Sequence, residues 1–227
     1  MQTVVVTGAN RGIGLGLVRC FAAGGHHVIA ACRQPEKADA LRQVQGSIEI
    51  LPLDVASAVS TTAFAAALGS RTIDVLINNA GVMGGEKQGF KDMDFDAWLR
   101  NFEINTIAPF RLSSLLFPNL KQSSNARVIT VSSQMGAFGM NMGFGTYAYR
   151  SSKSAVSKVM QVLANELKAD NIIVCPVHPG WVKTDMGGAN AQIPVEQSAS
   201  GLFHLISNLT MAQSGRFWTW DGREHVW

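Results

Sequence analysis

Tyr149 is followed four residues later by Lys153, in the run Tyr147-Ala-Tyr-Arg-Ser-Ser-Lys153. On a helix, residues four apart stand on one face, one turn apart. A tyrosine ordinarily has a pKa of about 10. A neighbouring positive charge favours the phenolate and lowers that value, which brings the phenol into range for general acid–base catalysis. Taken alone, the pair describes an exposed tyrosine and a solvated lysine equally well. The rest of the chain gives it meaning.

A second group of residues follows the first apolar run. Gly8, Gly12 and Gly14 lie in Thr7-Gly-Ala-Asn-Arg-Gly-Ile-Gly14, spaced Gly-x-x-x-Gly-x-Gly. Without a Cβ, such a turn lets backbone N–H groups approach a pyrophosphate at a helix N-terminus. The alternative is a structural turn with close helix–strand packing. Cys32 and Arg33 close the second apolar run, with no carboxylate before Glu36. An acidic residue there would take the ribose hydroxyls of NAD. Arg33, helped by Arg11 in the glycine loop, suits a 2′-phosphate instead, so NADP(H) is the preferred cofactor and NAD(H) the alternative. Asp54 either accepts from the adenine amino group or caps the next helix.

These residues need strands and helices to position them. Short β-branched runs at Thr3–Val6, His27–Ala31, Ile48–Leu53, Val75–Ile77, Arg127–Val131, Ile172–Val177 and Arg216–Trp220 alternate with helical patterns, which predicts βαβ units. The fold class is α/β: a Rossmann-type, doubly wound, seven-stranded parallel sheet with helices on both faces, in one domain over 1–227. After Tyr149, the residues Val156, Val159, Met160, Leu163 and Leu167 form an apolar helical stripe. A second helix is predicted over Asn105–Lys121, with Pro109 near its start. The chemically distinctive residues fall where the strands end, which is where open α/β sheets bind ligands.

The chain has 227 residues, 47% of them apolar and 15% charged, with a net charge of +3. That suits a single large core and argues against disorder. No block of like charge points to nucleic acid or a membrane surface. No apolar run approaches the roughly 20 residues that cross a bilayer. Cys20, Cys32 and Cys175 show no metal-ligand spacing, so no metal is expected. The N-terminus shows no basic segment or cleavage site, and a cytoplasmic location is expected.

Together these motifs resemble the short-chain dehydrogenase/reductase family along nearly the whole chain, closest to its carbonyl reductase and C-factor-like subgroup. The softer clues to the subgroup are the run to Ser154, the glycine-rich Gly139–Gly145, and the ending Gly215 to Trp227. The resemblance assigns Gly8, Asn10, Arg11, Gly12, Ile13 and Gly14 to the cofactor loop, and Arg33, Asp54 and Val55 to the adenosine side. It also assigns Asn79, Ala80 and Gly81 there, within Asn78-Asn-Ala-Gly81. Pro179, Gly180, Val182 and Thr184 would contact the nicotinamide carboxamide. Asn105, Ser133, Tyr149 and Lys153 match the catalytic set, Tyr149 and Lys153 also touching the cofactor. Ser133 is chosen over Ser132 as the later of the pair. The segment after Thr184 is shorter than the family's lid, which implies an open site and broad specificity.

The implied reaction is NADPH-dependent reduction of an aldehyde or ketone to an alcohol. Tyr149 would act as general acid, Ser133 as hydrogen-bond donor to the same oxygen, and Asn105 as anchor for a water on the proton path. The local alternatives are a capping role for Ser133, a capping role for Asn105 at the start of its helix, and a packing role for His178. Met135, Met140, Met142 and Phe144 either wall an apolar pocket or belong to the core. The stripe on the Tyr149 helix faces either a partner subunit, as in a homodimer or homotetramer, or its own sheet. The alternative function is a C-factor-like signalling protein with incidental turnover.

Overall fold

The computed structural model describes residues 1–140 and 143–227. In chain order its first half comprises β1 (Thr3–Thr7), α1 (Gly12–Ala23), β2 (His27–Cys32), α2 (Asp39–Arg42), β3 (Ile48–Pro52), α3 (Ala58–Leu68) and β4 (Val75–Asn78). The second half comprises α4 (Phe95–Phe102), α5 (Ala108–Leu115), α6 (Phe117–Leu120), β5 (Arg127–Val131), α7 (Tyr147–Glu166), β6 (Ile173–His178), α8 (Val195–Asn208) and β7 (Trp218–Thr219). Among the described residues the seven strands form one parallel sheet, in the order β3-β2-β1-β4-β5-β6-β7. The strand order reverses between β1 and β4, and the crevice outside that switch point is where such sheets take ligands.

Both faces of the sheet are covered, so the strands read as continuous apolar runs. Val4 and Val6 face a core shared with Leu17, Phe21, Leu202 and Ile206 of α1 and α8. Val5 faces the opposite core, with Phe64, Leu112, Val156 and Met160 of α3, α5 and α7. Burying each such side chain contributes about 1.5–3 kcal/mol. The apolar stripe on α7 is spent here: Val156, Met160, Leu163 and Leu167 are buried against the protein's own sheet. It does not offer a partner face.

The helix predicted over Asn105–Lys121 begins earlier and is interrupted. It starts at Phe95, capped by Asp94, whose carboxylate accepts from the Ala97 N–H. It then widens into a π-turn at Glu103–Ile107 before α5. Pro109 has no N–H to return to the Asn105 carbonyl, so the regular ladder cannot close there. Asn105 therefore lies inside a continuous helical rod and caps nothing. Pro118 likewise separates α6 from α5.

Candidate active site

The glycine loop is tied to the sheet by side chains that flank the switch point. Thr7 Oγ1 accepts from the backbone N–H groups of Asn79 and Ala80, both at 3.0 Å. Asn79 Nδ2 donates to the carbonyls of Thr7 (2.9 Å) and Gly8 (3.2 Å). These bonds weld the end of β1 to the end of β4. Gly14 is obligatory on space alone, because a Cβ would stand 2.3 Å from the Gly8 carbonyl oxygen. Arg11 precedes α1 without capping it by its side chain, and no acidic residue occupies the first turn. An uncapped helix N-terminus beside a backbone cradle fits an anionic pyrophosphate. Gly8, Asn10, Gly12 and Ile13 complete that loop.

Three further elements close the crevice. Asp54 Oδ1 accepts from the Ala56 N–H (3.1 Å), while Ser57 caps α3, so Asp54 is not the helix cap. Val55 is half-buried beside it. Gly180 has φ +86° in the segment after β6, Pro179 O accepts from Ser198 Oγ, and Val182 is buried. Thr184 Oγ1 accepts from the Gly187 N–H, and its methyl faces Gly12 across the loop. Arg33 is exposed at the end of β2. Arg11 pairs with Asp185 at 2.5 Å, both well exposed. The sequence suggested Arg11 as a helper of Arg33 at a 2′-phosphate; in the structure its side chain is engaged with Asp185.

The catalytic candidates meet at the N-terminal half of α7. Tyr149 and Lys153 are both buried, with Lys153 Nζ 5.7 Å from the centre of the phenol ring. Lys153 Nζ donates to Val131 O at 2.8 Å. Gly81 lies against it: a Cβ there would stand 3.5 Å from Nζ and 3.1 Å from Asn105 Oδ1. The two serines after β5 separate by function. Ser132 turns inward, donating to Lys153 O and sharing a 2.7 Å bond with Ser157. Ser133 lies near enough to the Tyr149 phenol to favour its ionised form, and its Oγ accepts from the Met135 N–H (3.1 Å). The turn carrying Ser133 presses onto α7 at Gly136, where a Cβ would meet Lys153 and Ser154 backbone at 2.6 Å.

Electrostatics depart from the sequence expectation. Burial pushes the phenol of Tyr149 above its ordinary value, and the nearby Ser133 hydroxyl pulls it back only in part. Burial also lowers Lys153 from 10.5 to about 8. The expected depression of the tyrosine is absent: burial dominates, and the Lys153 ammonium is directed at a strand carbonyl. Asn105 is engaged at both ends of its carboxamide, with the Val82 backbone and the Ser152 hydroxyl. Its Oδ1 accepts from Val82 N–H (2.9 Å), and its Nδ2 donates to Val82 O (2.9 Å) and Ser152 Oγ (3.0 Å).

The structure adds residues that the sequence reading passed over. Thr7 and Ser152 are short hydroxyls with no motif of their own. Gln88 and Asn101 both donate to Met83 O, fixing the chain that leaves β4. Of the proposed pocket residues, Phe144 is almost fully exposed and Met135 and Met140 are partly so, while Met142 lies outside the described residues. Phe144 is therefore not core. His178 is buried, with its pKa lowered to about 4 by burial, and its ring stands against that of His225. No helix of the described residues is long and apolar enough to cross a membrane.

Known proteins resemble this chain in sequence and fold. A family model described as short chain dehydrogenase matches residues 2–193. C-signal of Myxococcus xanthus is 39% identical over 165 residues, covering 73% of this chain and 99% of C-signal. The 1-hydroxy-2-glutathionyl-2-methyl-3-butene dehydrogenase of Rhodococcus sp. (strain AD45) is 36% identical over 234 residues, covering both chains completely. The NADPH-bound carbonyl reductase from chicken fatty liver superposes with a TM-score of 0.92 at 32% identity, over 100% of this chain and 99% of that one.

Proposed function

Because the chain belongs to the short-chain dehydrogenase family, we propose that it reduces an aldehyde or ketone to an alcohol with NADPH, using Tyr149 as general acid. The observation that carries the reading is that Tyr149, Lys153 and Ser133 are buried together, with Lys153 Nζ 5.7 Å from the centre of the phenol ring, at the ends of β4 and β5. Bound NADP(H) supplies or takes up the hydride. It would lie along Gly8–Gly14, Asp54, Val55 and Asn79–Gly81, with Pro179, Gly180, Val182 and Thr184 at its far end. Arg33 would face its 2′-phosphate, joined by Arg11 once it leaves Asp185.

Tyr149 gives its proton to the carbonyl oxygen as negative charge develops there. Ser133 donates a second hydrogen bond to the same oxygen, an interaction stronger in the transition state than in the ground state. Lys153 steadies the phenolate that remains and would hold the nicotinamide ribose when the cofactor is bound. Asn105 keeps the Val82 backbone in place beside Lys153 and anchors the proton path. The exposed Phe138, Phe144, Trp181 and Met186 suit an uncharged, apolar substrate. A homodimer or homotetramer in the cytoplasm is part of the same reading. The assembly is supported by the exposed Phe95, Leu99, Ile107 and Phe110 along α4, the π-turn and α5, not by the stripe on α7.

The test is NADPH oxidation against a panel of aldehydes, ketones and quinones, with NADH and Tyr149→Phe alongside. Turnover with NADPH that falls by about 10²–10⁴-fold in the variant supports the reading. Unchanged turnover in Tyr149→Phe overturns it. The likeness to C-signal favours a second reading, a cofactor-binding signalling protein. Tight NADPH binding with no turnover across the panel would move the weight there.

A further inference from the structure

The catalytic helix lacks a cap of its own. Thr146 precedes α7 with φ 51° and ψ 37°, a left-handed conformation, and its side chain bonds no helix N–H. It donates instead to Gly145 O. The first N–H groups of a helix need acceptors from outside. Here they are met from a loop about sixty residues away in sequence. Gln88 Oε1 accepts from the Tyr149 N–H at 3.1 Å, and Gln88 O accepts from the Tyr147 N–H at 3.5 Å.

Gln88 is buried to 6% exposure, although Glu86, Lys87 and Phe90 around it are exposed. Its Nε2 donates to Met83 O and Gly85 O, each at 2.9 Å. Two carbonyls on one side and an N–H on the other fix which way the amide points. Met83 O also accepts from Asn101, and the preceding Val82 is bracketed by Asn105. A connected set of carboxamides thus runs from the π-turn, through the strap after β4, to the backbone of Tyr149.

We propose that Gln88 is a positioning residue for the reaction: its carboxamide sets the height and rotation of the first turn of α7 against the Val82–Gly85 strap, and so fixes where the Tyr149 phenol stands. The proposal rests on the reading of Tyr149 as general acid. It adds that the acid is aimed from the β4 strap, while Lys153, one turn further along, is held separately by Val131 O. Loosening Gln88 should therefore misplace the phenol and spare the cofactor cradle, which is welded by Thr7 and Asn79.

Two variants test this. Gln88→Met keeps length and volume and removes every side-chain hydrogen bond, leaving the Gln88 O bond to the Tyr147 N–H. Gln88→Glu regains one donor and one acceptor when its carboxyl is protonated. Gln88→Met should bind NADPH within about two-fold of wild type and lose about 10- to 100-fold in kcat, the scale of a misplacement of about 1 Å. Gln88→Glu should recover relative to Gln88→Met as pH falls from 8 to 5. A kcat within about two-fold of wild type in Gln88→Met overturns the proposal. So does a parallel loss of kcat, NADPH affinity and melting temperature, or a Gln88→Glu that tracks Gln88→Met at every pH.

A readout without turnover separates this proposal from the one it rests on. Tyr147 and Tyr149 are the only tyrosines in the chain, so in a Tyr147→Phe background the tyrosinate absorbance reports Tyr149 alone. Adding Gln88→Met should let water reach the phenol and move its titration down towards the ordinary value of about 10. An unmoved titration counts against the positioning role. A moved titration in a protein that reduces no carbonyl supports the role and counts against the reductase reading.

Discussion

Lys153 and Arg11 both bring a positive charge to the same crevice, on opposite terms. Lys153 is 5% exposed and bonds a strand carbonyl. Arg11 has a side chain 69% exposed and pairs with an equally exposed Asp185. The inner wall is over-determined: Tyr149, Ser133, Asn105 and Gln88 are buried, and removing a partner leaves a polar group stranded at about 1–3 kcal/mol. The rim is held by an exposed pair of the kind worth about 0–1 kcal/mol. The wall holds geometry for proton transfer, and the rim can exchange one ionic partner for another. Chemistry and cofactor choice can therefore be altered separately.

Lys153→Met gives the largest test of that contrast, because it should separate activity from stability. Losing the ammonium should lower kcat/KM by about 10²–10⁴-fold. Stability at pH 7 should rise by roughly 0.5–2.5 kcal/mol. The drop from 10.5 to about 8 is about 2.5 units at 1.36 kcal/mol each, less the cost of leaving Val131 O without its donor. The unfolded chain keeps the lysine proton between those two values, and the folded one gives it up. The penalty is thus present in full below about pH 8 and fades as pH rises towards 10.5. Urea melts of both proteins at pH 7 and pH 10 should show the advantage of the variant shrinking. An advantage that grows with pH would show that Lys153 is not buried as an ion.

The rim should answer differently. Arg33→Ala should lower kcat/KM for NADPH by about 10-fold or more, the scale of a charge-assisted hydrogen bond, and leave the value for NADH and the melting temperature unchanged. Equal losses with the two cofactors would mean that Arg33 supports the loop after β2 and does not read a 2′-phosphate.

Legibility in the sequence divides along the same line. Strand positions could be read because both faces of the sheet are covered, so Val4, Val5 and Val6 are all apolar. The glycine loop, Tyr149 and Lys153 could be read because their spacing is local. The start of α4 was missed because Asp94 caps a segment whose outward residues Phe95 and Leu99 are apolar and exposed. The π-turn left only Pro109 as a trace. Gln88 and Asn101 left none: a carboxamide becomes a strut only when the fold brings Met83 and Tyr149 to it. The depressed tyrosine pKa was misjudged because spacing reports a neighbouring charge and does not report burial. The pairing of Arg11 with Asp185 joins positions 174 residues apart, beyond the reach of any local pattern.

The smallest effect expected concerns that pair. If Arg11 leaves Asp185 for the 2′-phosphate, the pair opposes NADPH by what an exposed ion pair is worth. Asp185→Asn should then lower the KM for NADPH by about two- to five-fold, with kcat and the KM for NADH unchanged. Salt screens both the pair and the phosphate contact, so the gain should shrink as ionic strength rises. Arg11→Ala should abolish it, because Asp185 would have no cation left to withhold. A gain shared equally by NADH would place the effect in the Thr184–Gly187 turn, where Asp185 sits, and would break the distinction between a rigid wall and an exchangeable rim at the point where the two elements touch.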